Sequence, residues 1–314
     1  MVRYWAFRLA AAIIPRIPYA FARPAAVGLG WLLWLLASGA RGQVERNLAH
    51  VPRLAGRLVE LRRAARGVFV TMALNYLDFF RGARLTDAQI TAGWTIHNQE
   101  DFDAAMAQGR GVVVIGGHFG NFEFAASRLG AIGRKLIIPV ERMRPEALFQ
   151  LFCALREHHG LRTVPADSRE SVRALLDALK RNEVVLFLAD RYVNGGSVEV
   201  PIFGAPALLP TAPMALALRS GAPVFAAYSW RTGPGRQTGV FIPLDIAATE
   251  ESAAGSKPAR GAEATARAIR LFVGELEHHV AAHPDQWVAA FAPIWREDEE
   301  RSASERETAA ASSA

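Results

Sequence analysis

The sequence predicts an α/β protein with a mixed, mostly parallel central sheet flanked by helices, preceded by an N-terminal helical segment that associates with a membrane. Short apolar runs at residues 111–115, 135–140 and 183–189 are typical of strands buried on both faces. Segments with apolar residues at helical spacing separate these runs, and this alternation favours parallel strands covered by helices. A cationic, apolar N-terminus predicts the membrane segment.

The remaining elements follow from the same periodicities and from their end signals. The predicted helices cover residues 43–49, 57–80, 101–108, 122–129, 145–159, 169–181, 210–220 and 261–282. Pro145 suits a first helical turn, Gly160 suits a helix end, and Asp167 or Ser168 is expected to cap the helix that follows. Further strands are predicted at residues 198–203, 223–230 and 238–244, because each is a largely apolar run between turn residues.

The first 44 residues carry five arginines and no acidic residue. An uncharged stretch of about 17 residues, with Trp31 and Trp34, lies between Arg23 and Arg41 and is shorter than the roughly 20 residues of a spanning helix. Trp and Arg both favour a bilayer interface with anionic lipid. We therefore expect residues 1–40 to form an interfacial membrane anchor. A buried helical hairpin and a signal peptide that ends near residues 38–40 are the alternatives.

Composition limits the remaining organisation and the class of function. With 314 residues, 51% of them hydrophobic, the chain can bury a large core, and we expect one α/β domain over residues 41–295. The single Cys153 excludes a disulfide framework and a cysteine zinc site. Residues 296–314 hold six acidic residues against three arginines and predict a disordered acidic tail. We expect residues 1–295, which are net basic, to bind an anionic membrane surface rather than nucleic acid.

The motif with the clearest chemistry follows the run at 111–115. There a glycine-rich turn, Gly116-Gly117-His118, leads into a predicted helix that carries Glu123. Ligands in open α/β sheets bind beyond the carboxyl ends of strands. A carboxylate bonded to one ring nitrogen fixes the tautomer and leaves the other nitrogen as a general base, and the His-x-x-x-x-Glu spacing places Glu123 beside the ring if the helix starts near Gly120. A purely structural histidine is the alternative.

Other site types are not supported by the sequence. The glycines fit neither the dinucleotide fingerprint nor the P-loop, and no metal-ligand set is evident. We therefore expect neither a metal nor a cofactor.

Gly-Gly-His118-Phe-Gly-Asn-Phe-Glu123 resembles the H-x-x-x-x-D/E signature of glycerolipid and lysophospholipid acyltransferases. The chain looks most like the branch with the lipid A late acyltransferases and the phosphatidylinositol mannoside acyltransferases. The similar stretches occur in the same order along most of the chain: Arg46-Asn-Leu48, Arg144-Pro-Glu-Ala-Leu-Phe, Ala-Leu-Arg156-Glu-His-His-Gly160, Leu-Ala-Asp190-Arg191, Val-Glu199-Val-Pro-Ile-Phe and Pro284-Asp-Gln-Trp287. Residues 288–295 lack the basic cluster of lipid A enzymes, so the chain is closer to the mannoside enzymes.

The resemblance implies transfer of an acyl group to a hydroxyl of a membrane lipid. The donor would be a thioester, with the acyl group on coenzyme A or on acyl carrier protein. His118 would be the general base, and Glu123 would orient it and stabilise the imidazolium. Arg144, Arg156 and Arg191 are expected to bind phosphate or the thioester carrier.

Two acidic residues complete the expected site. Asp190 ends a buried strand and is expected to line the cleft. Glu199 lies in an apolar run and is expected to contact acceptor sugar hydroxyls.

The same resemblance implies a peripheral position on the cytoplasmic face of the inner membrane, where thioester donors are made. The acceptor stays open between a phosphatidylinositol mannoside and lipid A. An acyl thioester hydrolase and a non-catalytic membrane adaptor are more distant alternatives.

Overall fold

The computed structural model describes residues 1–192, 195–246 and 257–296. The strands of these residues, in chain order, are β1 Trp94–His97, β2 Val112–Gly116, β3 Leu136–Val140, β4 Leu161–Pro165, β5 Val184–Leu188, β6 Ser197–Ile202, β7 Ala205–Pro210, β8 Val224–Gly233 and β9 Arg236–Pro243. The α-helices are α1 Val2–Ile13, α2 Tyr19–Leu36, α3 Ser38–Ala49, α4 Leu58–Gly82, α5 Asp87–Thr91, α6 Gln99–Ala107, α7 Phe122–Ala131, α8 Glu146–Glu157, α9 Arg169–Lys180, α10 Ala212–Ser220 and α11 Lys257–Ala282. Short 3-10 turns lie at Ile14–Arg16, Pro284–Gln286 and Val288–Phe291.

A seven-stranded sheet in the order β1-β9-β8-β2-β5-β3-β4 forms the centre of the protein. Its neighbours pair in parallel except β8 and β9, which form an antiparallel hairpin. The predicted mixed, mostly parallel sheet is confirmed. β2 is the middle strand, paired with β5 on one side and β8 on the other, and all its residues are buried. Chemistry that follows β2 therefore lies at the middle of the sheet edge.

Helices cover both faces of the sheet. The larger core cluster includes residues of α4, α9, α10 and α11 together with Trp287 and Trp295. The smaller cluster lies under α6 and α7 and contains Phe102, Phe225 and Phe241. Burial on both faces explains why the predicted strands at 111–115 and 183–189 are continuous apolar runs.

The differences from the predicted elements have local causes. The run at 198–203 is β6, but it pairs antiparallel with β7 in a separate two-stranded ribbon. Strands β1 and β4 were not predicted, because each is a short, partly exposed edge strand that mixes polar with apolar residues. Of the two expected caps of α9, Ser168 accepts the backbone N–H of Ser171.

The N-terminal helices pack on the body through one side. Ala22, Ala26 and Gly30 of α2 are buried against α4, and a Cβ atom on Gly30 would lie 2.7 Å from the Val70 Cα. Helix α1 has no buried residue, although the Phe7 ring lies 5.3 Å from that of Phe152. By length and composition, α2 is apolar enough to cross a membrane. The expected tail, apart from Arg296, lies outside the described residues, and the domain division at residue 40 stays a prediction.

Candidate active site

His118 lies in the loop between β2 and α7, directly beyond the carboxyl end of the middle strand. The loop turns sharply because Gly120 adopts a φ of 56°, a left-handed conformation that favours glycine. A Cβ atom there would also overlap the Ser229 carbonyl oxygen of β8. The loop is thus pressed against the sheet, while 24% of the His118 side chain stays exposed. One face of the imidazole is available to a substrate.

Asp190, which follows β5, holds the His118 ring. Its Oδ1 atom lies 2.7 Å from His118 Nδ1, and its Oδ2 atom accepts the His118 backbone N–H over 2.7 Å. The Asp190 side chain is fully buried, and burial alone would raise its pKa. The charge of His118 and the hydrogen bonds from His118 and Trp287 outweigh burial and lower the Asp190 pKa. With the Nδ1 proton donated to Asp190, Nε2 is the ring acceptor.

The carboxylate on the ring is therefore Asp190, and not Glu123 as the spacing predicts. Glu123 Oε2 instead accepts Arg156 Nε over 3.0 Å, and its Oε1 is paired with Arg156 Nη2. The reason is the start of α7: the helix begins at Phe122 rather than near Gly120, so Glu123 lies in the first turn, against α8. Asp190, expected only to line the cleft, takes the place predicted for Glu123. A catalytic role of Glu123 stays a prediction.

Arg156 and Glu123 form a largely buried ion pair beside the loop. Their side chains are 13% and 17% exposed, and the guanidinium lies 5.7 Å from the Phe79 ring centre. Burial lowers the Arg156 pKa, but the neighbouring Glu123 carboxylate more than offsets this, so the pKa is raised. The charge of Arg156 is thus already shared with Glu123.

The other predicted binding residues are not hydrogen-bonded to the His118 ring in the described part of the chain. Arg191 follows Asp190 and donates to Glu141 over 3.1 Å, at the carboxyl ends of β5 and β3. Arg144 is exposed before α8, and no side-chain partner is found for it among the described residues. Glu199 lies on β6, where it pairs with Arg296 over 3.1 Å and is 47% exposed. The structure pairs His118 with Asp190 and Arg156 with Glu123, and it leaves Arg144 and Glu199 at the surface.

A buried polar network under the loop was missed by the sequence prediction. Arg231 of β8 donates to Asn75 over 2.6 Å and to Asp78 over 2.7 Å, both on α4. Asn75 donates to the Gly120 carbonyl over 2.7 Å, and Asn121 donates to Asp78 over 2.9 Å. These bonds fix the loop to α4 and β8. Asn75 and Asp78, three positions apart in the otherwise apolar pattern of α4, were the sequence signal that could have predicted this network.

An apolar cavity lies next to the loop, between α7 and the sheet. Its empty volume is about 580 Å³, which includes the open solvent at its mouth. Gly116 and Gly117 form part of the wall, with Ala125 and Leu129 of α7 opposite the strands. Among the described residues, no group of three His, Cys, Asp or Glu side chains is placed to hold a metal ion.

Comparison with known proteins finds one matching family model and three relatives that share a name. The family model described as bacterial lipid A biosynthesis acyltransferase matches residues 1–296. Phosphatidylinositol mannoside acyltransferases of two Mycobacterium tuberculosis strains are 28% identical over 272 residues, covering 83% of this chain and 78% of each relative. A protein of the same name from Mycolicibacterium smegmatis is 26% identical over 220 residues, covering 69% of this chain and 71% of that relative.

Proposed function

The chain belongs to the bacterial lipid A biosynthesis acyltransferase family, and from this premise we propose what the acyltransferase transfers and how. The donor is an acyl thioester, carried on coenzyme A or on acyl carrier protein. The acceptor is a hydroxyl of a glycolipid such as a phosphatidylinositol mannoside. The observation that carries the proposal is the His118–Asp190 pair, in a loop whose residues Gly117 and Phe119 line an apolar cavity. The names of the relatives support the acceptor class.

The imidazole acts as a general base and then as a general acid. Nε2 of His118 takes the proton of the lipid hydroxyl while its oxygen attacks the thioester carbonyl carbon. The C–S bond breaks, and the imidazolium returns the proton to the leaving sulfur, which gives an ester and a free thiol. Asp190 stabilises the imidazolium between these steps. Acid–base catalysis of this kind contributes about 10²–10⁴-fold, and positioning of the two substrates supplies much of the rest.

The apolar cavity is the proposed site of the acyl chain. It is bounded by α7 and by strands of the central sheet, and its walls include the backbone of Gly116 and Gly117. A chain that enters there leaves its thioester carbonyl at the loop of His118. Burial of apolar chain surface contributes about 25 cal/mol per Å² to binding, so donor affinity rises with the length that the cavity accepts.

The arginines near the carboxyl edge are the proposed contacts for phosphate. Both thioester donors carry phosphate groups, and a guanidinium binds phosphate through a planar fork. Arg191 lies one residue beyond Asp190, and Arg144 is exposed before α8. Arg156 acts indirectly, because its guanidinium is ion-paired with the Glu123 carboxylate. Contact of Glu199 with acceptor sugar hydroxyls is a more distant part of the proposal, because Glu199 is paired with Arg296 on the ribbon.

We further propose that α1 and α2 place the site on the cytoplasmic face of the inner membrane. Large apolar side chains are exposed along both helices, among them Trp5, Leu9, Phe21, Leu33 and Leu36. Arginines lie against the tryptophans: Arg66 is 4.9 Å from the Trp31 ring centre, and Arg41 is 5.6 Å from that of Trp34. This combination suits an interface with anionic lipid.

The packing of α2 favours a position in the membrane plane. Small residues over about two turns hold α2 against α4, which carries Glu60, Arg62, Arg63 and Arg66 along its first half. If α2 crossed the bilayer, it would draw these charges into the hydrocarbon, at a cost of several kcal/mol. The helix therefore lies along the surface with α4 behind it.

Lipid A is the second candidate acceptor, because the matching family model is described by lipid A biosynthesis. Radiolabelled palmitoyl-CoA offered with a phosphatidylinositol mannoside or a lipid A precursor distinguishes the two by the lipid that gains label. Label in free fatty acid with either acceptor would indicate a hydrolase instead. His118→Ala should abolish transfer to the acceptor, whereas His158→Ala, at an exposed histidine after α8, should not. Transfer by folded His118→Ala at the normal rate would overturn the proposed function.

A further inference from the structure

The Asp190 carboxylate is bonded by three N–H groups, and one of them belongs to Trp287. The indole Nε1 donates to Asp190 Oδ2 over 3.1 Å. The same oxygen accepts the His118 backbone N–H, and the other oxygen is bonded to the His118 ring. Building on the proposed function, we propose that Trp287 is a positioning residue, whose indole N–H fixes the Asp190 carboxylate in the orientation that holds the His118 ring.

The segment that carries Trp287 is itself fixed to the catalytic loop. The Val288 N–H donates to the His118 carbonyl over 2.8 Å, and the Gly120 N–H donates to the Gln286 carbonyl over 2.8 Å. The Gln286 side chain binds both the N–H and the carbonyl of Arg231 on β8. Residues 286–288 thus hold the His118 loop, strand β8 and the Asp190 carboxylate in one arrangement.

Trp287 is fully buried and rigidly packed. Its ring lies edge to face against Trp295 with 6.1 Å between the centres, and both tryptophans have no exposed surface. An indole in such a site has a single rotamer available, so its N–H points in one fixed direction. That is the property a positioning donor needs.

No other side chain replaces this donor among the described residues. Burial and, next, the Asp190 charge raise the pKa of Tyr228 on β8, whose ring centre lies 4.4 Å from that of His279 on α11. The Tyr228 hydroxyl and the His279 Nε2 atom have no hydrogen-bond partner within the described residues. Without the Trp287 N–H, Oδ2 would keep only the backbone bond from His118. A buried carboxylate with fewer donors binds a proton more readily.

The proposal is tested by removing the N–H without changing the shape. Benzothienylalanine at position 287 replaces the indole nitrogen with sulfur and keeps the volume. Trp287→Phe is the ordinary variant. Benzothienylalanine at position 295 is the matched control, because it removes an N–H that binds the Ile202 carbonyl, away from the site, and keeps the ring that packs on Trp287. The assay uses palmitoyl-CoA and a phosphatidylinositol mannoside in mixed micelles.

We expect kcat of the enzyme with benzothienylalanine at position 287 to fall by about 10–100-fold, as for the loss of one hydrogen bond to a charged group, while both KM values change less than about twofold. The acidic limb of the pH profile should move upward by about 0.5 pH unit, because the His118–Asp190 pair then holds its proton more tightly. Benzothienylalanine at position 295 should leave kcat and the limb unchanged. A wild-type kcat and pH profile in the folded enzyme with benzothienylalanine at position 287 would overturn the proposal.

A second readout does not depend on acyl transfer. In protein labelled with ¹⁵N-histidine, the Nδ1 proton of His118 is followed by its exchange with solvent. We expect faster exchange in the protein with benzothienylalanine at position 287 and in Trp287→Phe, but not in the protein with benzothienylalanine at position 295. Unchanged exchange contradicts the positioning role. If the wild type shows this proton but transfers no acyl group, the proposed function fails while the role of Trp287 stands.

Discussion

His118 and Asp190 are 72 residues apart in the chain, yet His118 Nδ1 lies 2.7 Å from Asp190 Oδ1. The two residues follow β2 and β5, which are adjacent parallel strands in the sheet. Because parallel neighbours end at the same edge, the loops after them meet there. The pairing of the His118 ring with the Asp190 carboxylate is thus a direct consequence of strand order.

The Glu123–Arg156 pair should affect the reaction through charge balance. Glu123→Gln leaves the Arg156 cation unpaired beside the site, where it disfavours the imidazolium, and we expect kcat to fall by about 10–100-fold. Glu123→Gln combined with Arg156→Met removes both charges and should recover part of this loss. Steady-state kinetics of the two single variants and the double variant measure the coupling. Additive losses would show that Glu123 acts independently of Arg156.

The cavity between α7 and the sheet should set the acyl chain length. Ala125 lines the cavity, and Ala125→Phe fills part of it. We expect kcat/KM for palmitoyl-CoA to fall at least about tenfold relative to octanoyl-CoA, since each lost methylene contact costs about 1 kcal/mol or more. Ala131→Phe, at the end of the same helix and outside the cavity lining, is the control. An equal loss for both donors would argue against the acyl site.

The apolar face of α2 should hold the protein on anionic membranes. Leu33→Glu places a charge on that face, and its matched control is Leu271→Glu on α11, because the two leucines are 43% and 42% exposed. Co-sedimentation with vesicles that contain anionic lipid should fall several-fold for Leu33→Glu only. Equal binding of both variants would remove α2 from the proposed interface.

His279 should make the free energy of unfolding depend on pH. Burial, together with the neighbouring His278 and His283, lowers its pKa from the ordinary 6.5 to about 4. Between these two values the unfolded chain binds a proton that the folded chain does not, so stability is complete above pH 6.5 and falls toward pH 4, by up to about 1.4 kcal/mol per pH unit.

Urea unfolding in detergent at pH 7.5, 6.5 and 5.5 measures this slope. His279→Gln should flatten it, whereas His158→Gln, at an exposed residue, should leave it unchanged. The same slope in His279→Gln and the wild type would contradict the lowered pKa.

The buried strands could be predicted because burial on both faces leaves a direct trace in the sequence. Apolar runs marked β2, β3 and β5, while the edge strand β4, with Arg162 and Thr163 among its residues, shows no such run. Its place depends on pairing with β3, which is a tertiary property. The separate ribbon of β6 and β7 is likewise a matter of pairing, which periodicity does not specify.

The position of His118 at the carboxyl edge of the sheet could be predicted, but the carboxylate that contacts its ring could not. His118 stands out because glycines and a buried strand surround it, and these are local features. Asp190 becomes its partner only through the order of β2 and β5. The His-x-x-x-x-Glu spacing favoured Glu123 on the assumption that α7 starts near Gly120, and a start at Phe122 places Glu123 against Arg156 instead.

The rate of acyl transfer by Asp190→Asn tests the proposed mechanism most directly. Asn keeps the size of Asp but can present an N–H to the ring, which favours the wrong tautomer and cannot stabilise the imidazolium. With a folded variant, palmitoyl-CoA as donor and a phosphatidylinositol mannoside as acceptor, we predict that kcat falls by about 10³–10⁴-fold while KM changes little. A kcat within about tenfold of the wild type would contradict the role of the His118–Asp190 pair as the catalytic base.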